Sequence, residues 1–226
     1  AAAEVPGGPL LIVAGPGTGK TRTVTHRIAH LIAERDVPAH HCLAITFTRR
    51  AAEELQERLT ALLGDLADDL TVTTFHGLGL LILREQHELA GLSARFGIAD
   101  TARQLEVATE TTGSEREGRR LLARREAAQE AREDSAYERR LRELDLVDFT
   151  DLIALPVRLL SADPELADRY RQRWPWISVD EYQDIDETQY ALLRLITGNS
   201  GNVTAIGDPD QAIYGFRGAD VGFFLR

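Results

Sequence analysis

The stretch "LLIVAGPGTGKTRTVTHRIAHL", residues 10–31, changes character twice along its length. Residues 10–15 are an apolar run that reads as a buried strand. A glycine-rich turn follows. Then Val24, Ile28, Leu31 and Ile32 fall on one helical face, and Pro38 lies beyond the helix end. Strand, glycine loop and amphipathic helix, in that order, is the context that a phosphate-binding loop requires. Gly15, Gly17 and Gly19 let backbone N–H groups point inward with no Cβ in the way. With Pro16, Thr18 and the positive end of the following helix they form a seat for an anion. Lys20 is expected to reach the β- and γ-phosphates of ATP as a point charge, and Thr21 to place its hydroxyl on Mg²⁺.

Lys20 is the only lysine in the chain, among 26 Lys and Arg residues. An arginine fork is broad and planar and does not suit a tight phosphate loop, whereas an ammonium is compact. The composition has moved to arginine everywhere except here.

Working outward, four more β-rich runs follow: 43–47, 70–75, 176–181 and 203–208. Most are apolar on both alternations, as strands covered on both faces are. Ala51, Leu55, Leu59 and Leu62 are expected to share a helix face that ends at Gly64. "DETQYALLRLITG" opens with Asp186 and Gln189 in capping-box spacing and stops at Gly198. Strand–helix alternation predicts an α/β domain with a parallel sheet. Residues 78–172 differ: they show no convincing strand and are rich in Leu, Ala, Arg and Glu at helical spacing. They are expected to form an all-helical subdomain inserted into the α/β domain of 1–77 and 173–226. Charges between Ser114 and Glu143 nearly balance, which reads as solvated, salt-bridged helix.

The 226 residues hold 43% hydrophobic and 27% charged residues, an ordinary globular balance. No run approaches a membrane span, and the single cysteine, Cys42, suits a reducing, cytoplasmic setting. The net charge of −10 speaks weakly against nucleic acid, although a local groove can still be basic. Methionine is absent, so the chain is expected to be a piece of a longer protein.

"WISVDEYQD" ends an apolar run on two carboxylates. Asp180 can hold Mg²⁺, and Glu181 can orient and deprotonate an attacking water. In "GDPDQAIYGFRGAD", Gln211 is an amide able to sense a γ-phosphate. Tyr214, Phe216 and Arg217 would offer aromatics beside a cation, a platform on which bases stack. "HHC" at 40–42 does not read as a metal site, because three consecutive residues do not converge on one ion.

Together "AGPGTGKT", "AITFTRRAAEEL", "TTFHGLGLLILR", "LVDFTDLI", "VDEYQD" and "GDPDQAIYGFRGAD" resemble superfamily 1A DNA helicases of the UvrD/PcrA/Rep type, in order and spacing, over almost the whole chain. The resemblance implies the first RecA-like domain with its helical insertion. It implies that ATP and Mg²⁺ are held by Lys20, Thr21 and Asp180, with Arg22 next to the nucleotide, Glu181 as general base and Gln211 linking phosphate to DNA. It implies DNA contacts at Phe47, Thr48, Arg49, Arg50, Thr74, Phe75, His76, Tyr214, Phe216 and Arg217. Asp148, Phe149 and Asp151 carry over as structural. The implied partners are single-stranded and duplex-junction DNA, and the implied activity is 3′-to-5′ translocation in repair or replication.

Four departures accompany it. Ala14 replaces the first glycine of the loop pattern. Arg49-Arg50 stands where Asn-Lys is common, and Phe216 where Trp is common. The adenine-reading glutamine and the second RecA-like lobe lie outside the sequence, so the isolated chain is expected to be weakly active or inactive. Alternative readings are a non-enzymatic, ATP-responsive DNA- or protein-binding module, and the helicase part of a helicase–nuclease.

Overall fold

A computed structural model describes residues 4–5, 7–15, 17–128, 135–198 and 201–211. In chain order the elements are β1 (Leu10–Val13), α1 (Lys20–Ala33), β2 (Cys42–Thr46), α2 (Arg49–Leu63), β3 (Thr71–Thr74), α3 (Phe75–Glu85), β4 (Gly97–Ile98) and α4 (Thr101–Thr112). Then come α5 (Glu115–Ala128), α6 (Ala136–Glu143), β5 (Leu146–Val147), α7 (Asp151–Ala162), α8 (Pro164–Arg173), β6 (Trp176–Val179), α9 (Glu187–Thr197) and β7 (Asn202–Gly207). The chain divides into two compact units, Ala1–Phe75 with Asp163–Arg226, and His76–Ala162.

The first unit is built on a five-stranded sheet in the order β1-β7-β6-β2-β3, with every pairing parallel. The five apolar runs of the sequence are these five strands. β2 is buried along its whole length, as a central strand covered on both faces must be. Val24, Ile28 and Ile32 of α1 pack with Leu55, Leu59 and Leu63 of α2 into one core that reaches Ala44 and Ile206. The expected α2 face is corrected at one position. Leu62 is 50% exposed, and Leu63 continues the buried row. The contact line follows i, i+4, i+8, so the residue after Leu62 turns inward. α9 begins with the full capping box, Asp186 accepting from the Gln189 N–H and Gln189 reaching back to the Asp186 N–H, and ends at Gly198. α8, expected in the insertion, groups with this unit, and Tyr170 of its last turn stacks on Trp174, the residue that caps it.

Among its described residues the second unit has only helices and one two-residue parallel ladder, Gly97–Ile98 with Leu146–Val147. Two residues are too short for a period-two signal, which is why the sequence reads as all helical there. α3 and α7 approach so closely that a Cβ on Gly79 would lie 1.7 Å from the Leu152 carbonyl oxygen. The charge-rich helices are not solvated throughout. Arg119–Glu115 and Arg120–Glu117 are exposed helical pairs. Arg125, however, is buried and reaches Glu138, Asp148 at 3.1 Å and Asp151 at 3.3 Å. Arg142 adds a 2.9 Å bridge to Asp151, and the Tyr137 hydroxyl donates to Asp148. Burial alone would lower the Arg125 pKa, but the surrounding carboxylates raise it, so the guanidinium stays charged. Asp148 and Asp151 of "LVDFTDLI" therefore serve as anchors of a buried ion cluster.

Candidate active site

In a parallel sheet every strand ends on the same edge, and chemistry-bearing loops gather there. Here β1 leads into the glycine loop, β6 into Asp180 and Glu181, and β7 into Asp208 and Gln211. The ladder extends past the strand ends, with Ala14 N–H donating to Gly207 O at 3.0 Å and Asp180 N–H to Ile45 O at 2.9 Å. Ala14 is thus still strand-like and has no positive φ, so an alanine there costs no backbone strain. Gly17 and Gly19, by contrast, sit at φ 73° and 87°. Gly19 is the left-handed N-cap of α1, a conformation that a Cβ disfavours. Pro16 lies outside the described residues.

Lys20 opens α1, and its ammonium lies 3.1 Å from Glu181 Oε2. The side chain is only 9% exposed, and Nζ makes no aligned hydrogen bond among the described residues. A buried ammonium with one ion-pair contact still has donors to give. Thr21 Oγ1 donates to Asp180 Oδ2 at 3.2 Å, which brings the two expected Mg²⁺ ligands together. Burial, followed by the charge of Glu181, pushes the Asp180 carboxyl above the usual range, while hydrogen bonds from the Glu181 N–H and Thr21 and the charge of Lys20 pull it back. No group of three or more His, Cys, Asp or Glu suited to a metal occurs among the described residues. A hydroxyl and one carboxylate fit Mg²⁺, which takes few protein oxygens and completes its shell with phosphate and water. The left-handed glycines, the buried ammonium and this oxygen pair all fit Mg-ATP.

Glu181 is one of three non-glycine residues with positive φ among those described, at 52°. Strain of this kind is kept where surrounding structure demands it, often at functional sites. A short 3₁₀ turn, Tyr182–Asp184, follows and buries Gln183. Gln183 donates to Glu181 Oε2 at 2.8 Å and accepts from the Asp208 N–H at 3.0 Å. Asp208 in turn accepts from the Gln211 side chain. Asp184 is shifted up to about 6, chiefly by burial and then by the charge of Glu181. Arg22 is exposed. Sequence reasoning missed Gln183 and Asp184. Each sits in "DEYQD", but only the fold shows what they meet.

Of the expected DNA contacts, those that follow β2 and β3 in the first unit lie on the same edge of the sheet. β2 and β3 are neighbours with Thr46 opposite Thr74, so the segments following them lie side by side. Thr48 caps α2 by accepting from the Ala51 N–H, and Arg49 and Arg50 are exposed beside it. The first turn of α2 carries no acid. Phe75 is 4% exposed and belongs to the interior, whereas Phe47 and Thr74 are half-buried. In the second unit His76 meets Phe149 edge to face at 6.1 Å, and Phe149 is 56% exposed. Phe149, carried over as structural, thus presents an exposed ring next to His76. Tyr214, Phe216 and Arg217 lie outside the described residues.

A parallel sheet with a glycine loop after its first strand and an Asp-Glu pair at the same edge defines a RecA-like α/β domain. The chain matches the UvrD/REP helicase N-terminal domain over residues 1–135 and 114–226, and it belongs to that family. It is 39% identical over 246 residues to the ATP-dependent DNA helicase PcrA of Leuconostoc citreum, covering 97% of this chain and 33% of the relative. The PcrA proteins of Staphylococcus aureus strain Mu50 and of Staphylococcus epidermidis are each 37% identical over 240 residues, covering 95% of this chain and 33% of the relative. The chain thus spans about a third of the length of the curated relatives it matches. Among the described residues no helix is long and apolar enough to cross a membrane.

Proposed function

We propose that this chain is the ATP-binding lobe of an ATP-dependent DNA helicase that moves 3′ to 5′ along single-stranded DNA, in repair or replication. In this reading the first unit is the RecA-like domain, with α8 on its side of the boundary, and the second unit is its insertion. The observation that carries it is the buried Lys20 ammonium, held 3.1 Å from the Glu181 carboxylate at the mouth of the glycine loop. Lys20 exchanges this ion pair for phosphate oxygens. Thr21 and Asp180 would hold Mg²⁺, which supplies charge neutralisation on the phosphates when bound. Glu181, released from Lys20, orients a water and takes its proton. Gln211 senses the phosphate from the β7 turn. Arg49, Arg50 and the unopposed N-terminus of α2 favour a DNA phosphate, and His76 with Phe149 offers exposed rings to bases. The intact Glu181 favours an enzyme over an ATP-responsive binding module, since a switch has no use for a base.

ATP turnover with and without single-stranded DNA, measured on the full-length protein beside Lys20→Ala and Lys20→Arg, tests the reading. DNA-stimulated turnover that falls at least about a hundredfold in both variants is expected. Turnover that survives either substitution at the wild-type level contradicts it.

A further inference from the structure

We propose that Gln183 is a positioning residue that holds the Glu181 carboxylate and ties it to the turn after β7, so that hydrolysis depends on the state of that turn. The inference rests on the reading of Glu181 as the water-activating base.

Gln183 is 3% exposed, and its amide is used on both sides. The carbonyl oxygen accepts from the Asp208 N–H at 3.0 Å. The NH₂ group donates to Glu181 Oε2 at 2.8 Å and lies 3.4 Å from Asp184 Oδ2. A flipped amide would aim its oxygen at two carboxylates and its NH₂ at an N–H, so the neighbours fix its orientation. Beyond it, the Asp208 carboxylate accepts from the Asp210 N–H at 3.1 Å and from the Gln211 side chain. The Gln211 N–H closes the turn on Asp208 O at 3.0 Å. The result is an unbroken run of hydrogen bonds, Glu181–Gln183–Asp208–Gln211, from the base to the amide expected to sense phosphate.

A glutamine that only closed a turn would need the Asp208 bond alone. Here its donor goes to the same Glu181 oxygen that faces Lys20. When Lys20 turns to phosphate, Gln183 is the contact left to steer that carboxylate. Any shift of the β7 turn moves the Asp208 N–H, and with it the amide and Glu181.

The test uses the full-length protein with Gln183→Met, which keeps the volume and removes both bonds, alone and combined with Gln211→Ala. With saturating single-stranded DNA, kcat should fall at least about tenfold while KM for ATP changes less than about threefold, as expected for a lost hydrogen bond to a charged group. Equilibrium binding of Mg-ADP should be unchanged. The tightening of that binding by aluminium fluoride, which mimics the phosphate in transit, should be lost. The double variant should be no slower than the slower single variant, because both residues act through one chain. A wild-type kcat, a change in KM alone, multiplicative effects in the double variant, or loss of Mg-ADP binding in Gln183→Met would each overturn the proposal. Wild-type turnover that does not need Lys20 would instead overturn the reading of the site itself, and this inference with it.

Discussion

At the scale of residues, the site sets the buried Lys20 ammonium and the buried Asp180 beside the half-buried Glu181. Lys20 answers why an arginine-rich chain keeps one lysine: its ammonium fits beside Glu181 at 9% exposure, where a guanidinium is too broad. The carboxylates show the cost of this arrangement. Asp184 titrates near 6 rather than near its ordinary value of about 4, because burial and the charge of Glu181 disfavour its ionised form. Between those values the folded state binds more protons than the unfolded state. Asp184 therefore contributes stability that is present below about pH 4 and is lost as pH rises through about 6. Asp184→Asn should flatten the wild-type fall in stability across this window and leave the variant the more stable at neutral pH. Urea midpoints measured between pH 4 and 7 check it. Parallel pH dependences for the two proteins would show that the Asp184 environment is wrong. None of this is written in the spacing of "DEYQD". The burial that raises Asp184 comes from the fold, and Lys20 of α1 supplies the charge that moderates it.

At the scale of elements, the sequence was most legible where one period runs uninterrupted. The five strands, the buried face of α1 and the capping box of α9 all lie within a few residues of their signals. It was least legible where partners are distant. The slip from Leu62 to Leu63, the two-residue ladder of β4 and β5, and the Arg125 cluster all depend on packing between segments far apart. Gly79 is the sharpest case. Glycine inside a helix ordinarily costs about 1 kcal/mol relative to alanine, so Gly79→Ala should stabilise α3 on propensity alone. Instead its Cβ would meet the Leu152 carbonyl oxygen at 1.7 Å, and backbone cannot move aside cheaply. Gly79→Ala should destabilise the second unit by about 3 kcal/mol. Denaturant unfolding gives the sign directly, and a gain in stability would mean that α3 and α7 are farther apart than described.

At the scale of the whole molecule, two units divide the labour along the chain. The first gathers the glycine loop, the Asp-Glu pair and the Asp208–Gln211 turn on one edge of a parallel sheet, because every strand points the same way. The motifs were legible singly in the sequence, and their order matched a known family. Their convergence was not, since it follows from the strand order β1-β7-β6-β2-β3, in which the glycine-loop strand neighbours the last strand rather than the second. A net charge of −10 is compatible with DNA once Arg49 and Arg50 are seen as a local patch at the start of α2. This edge is proposed to bind Mg-ATP, with Glu181 activating the water. The most direct measurement compares Glu181→Gln with wild type for Mg-ATP affinity and single-turnover hydrolysis on the same full-length protein. Affinity within about threefold of wild type and hydrolysis reduced at least about a hundredfold are expected. Equal loss of binding and hydrolysis, or hydrolysis at the wild-type rate, would contradict it.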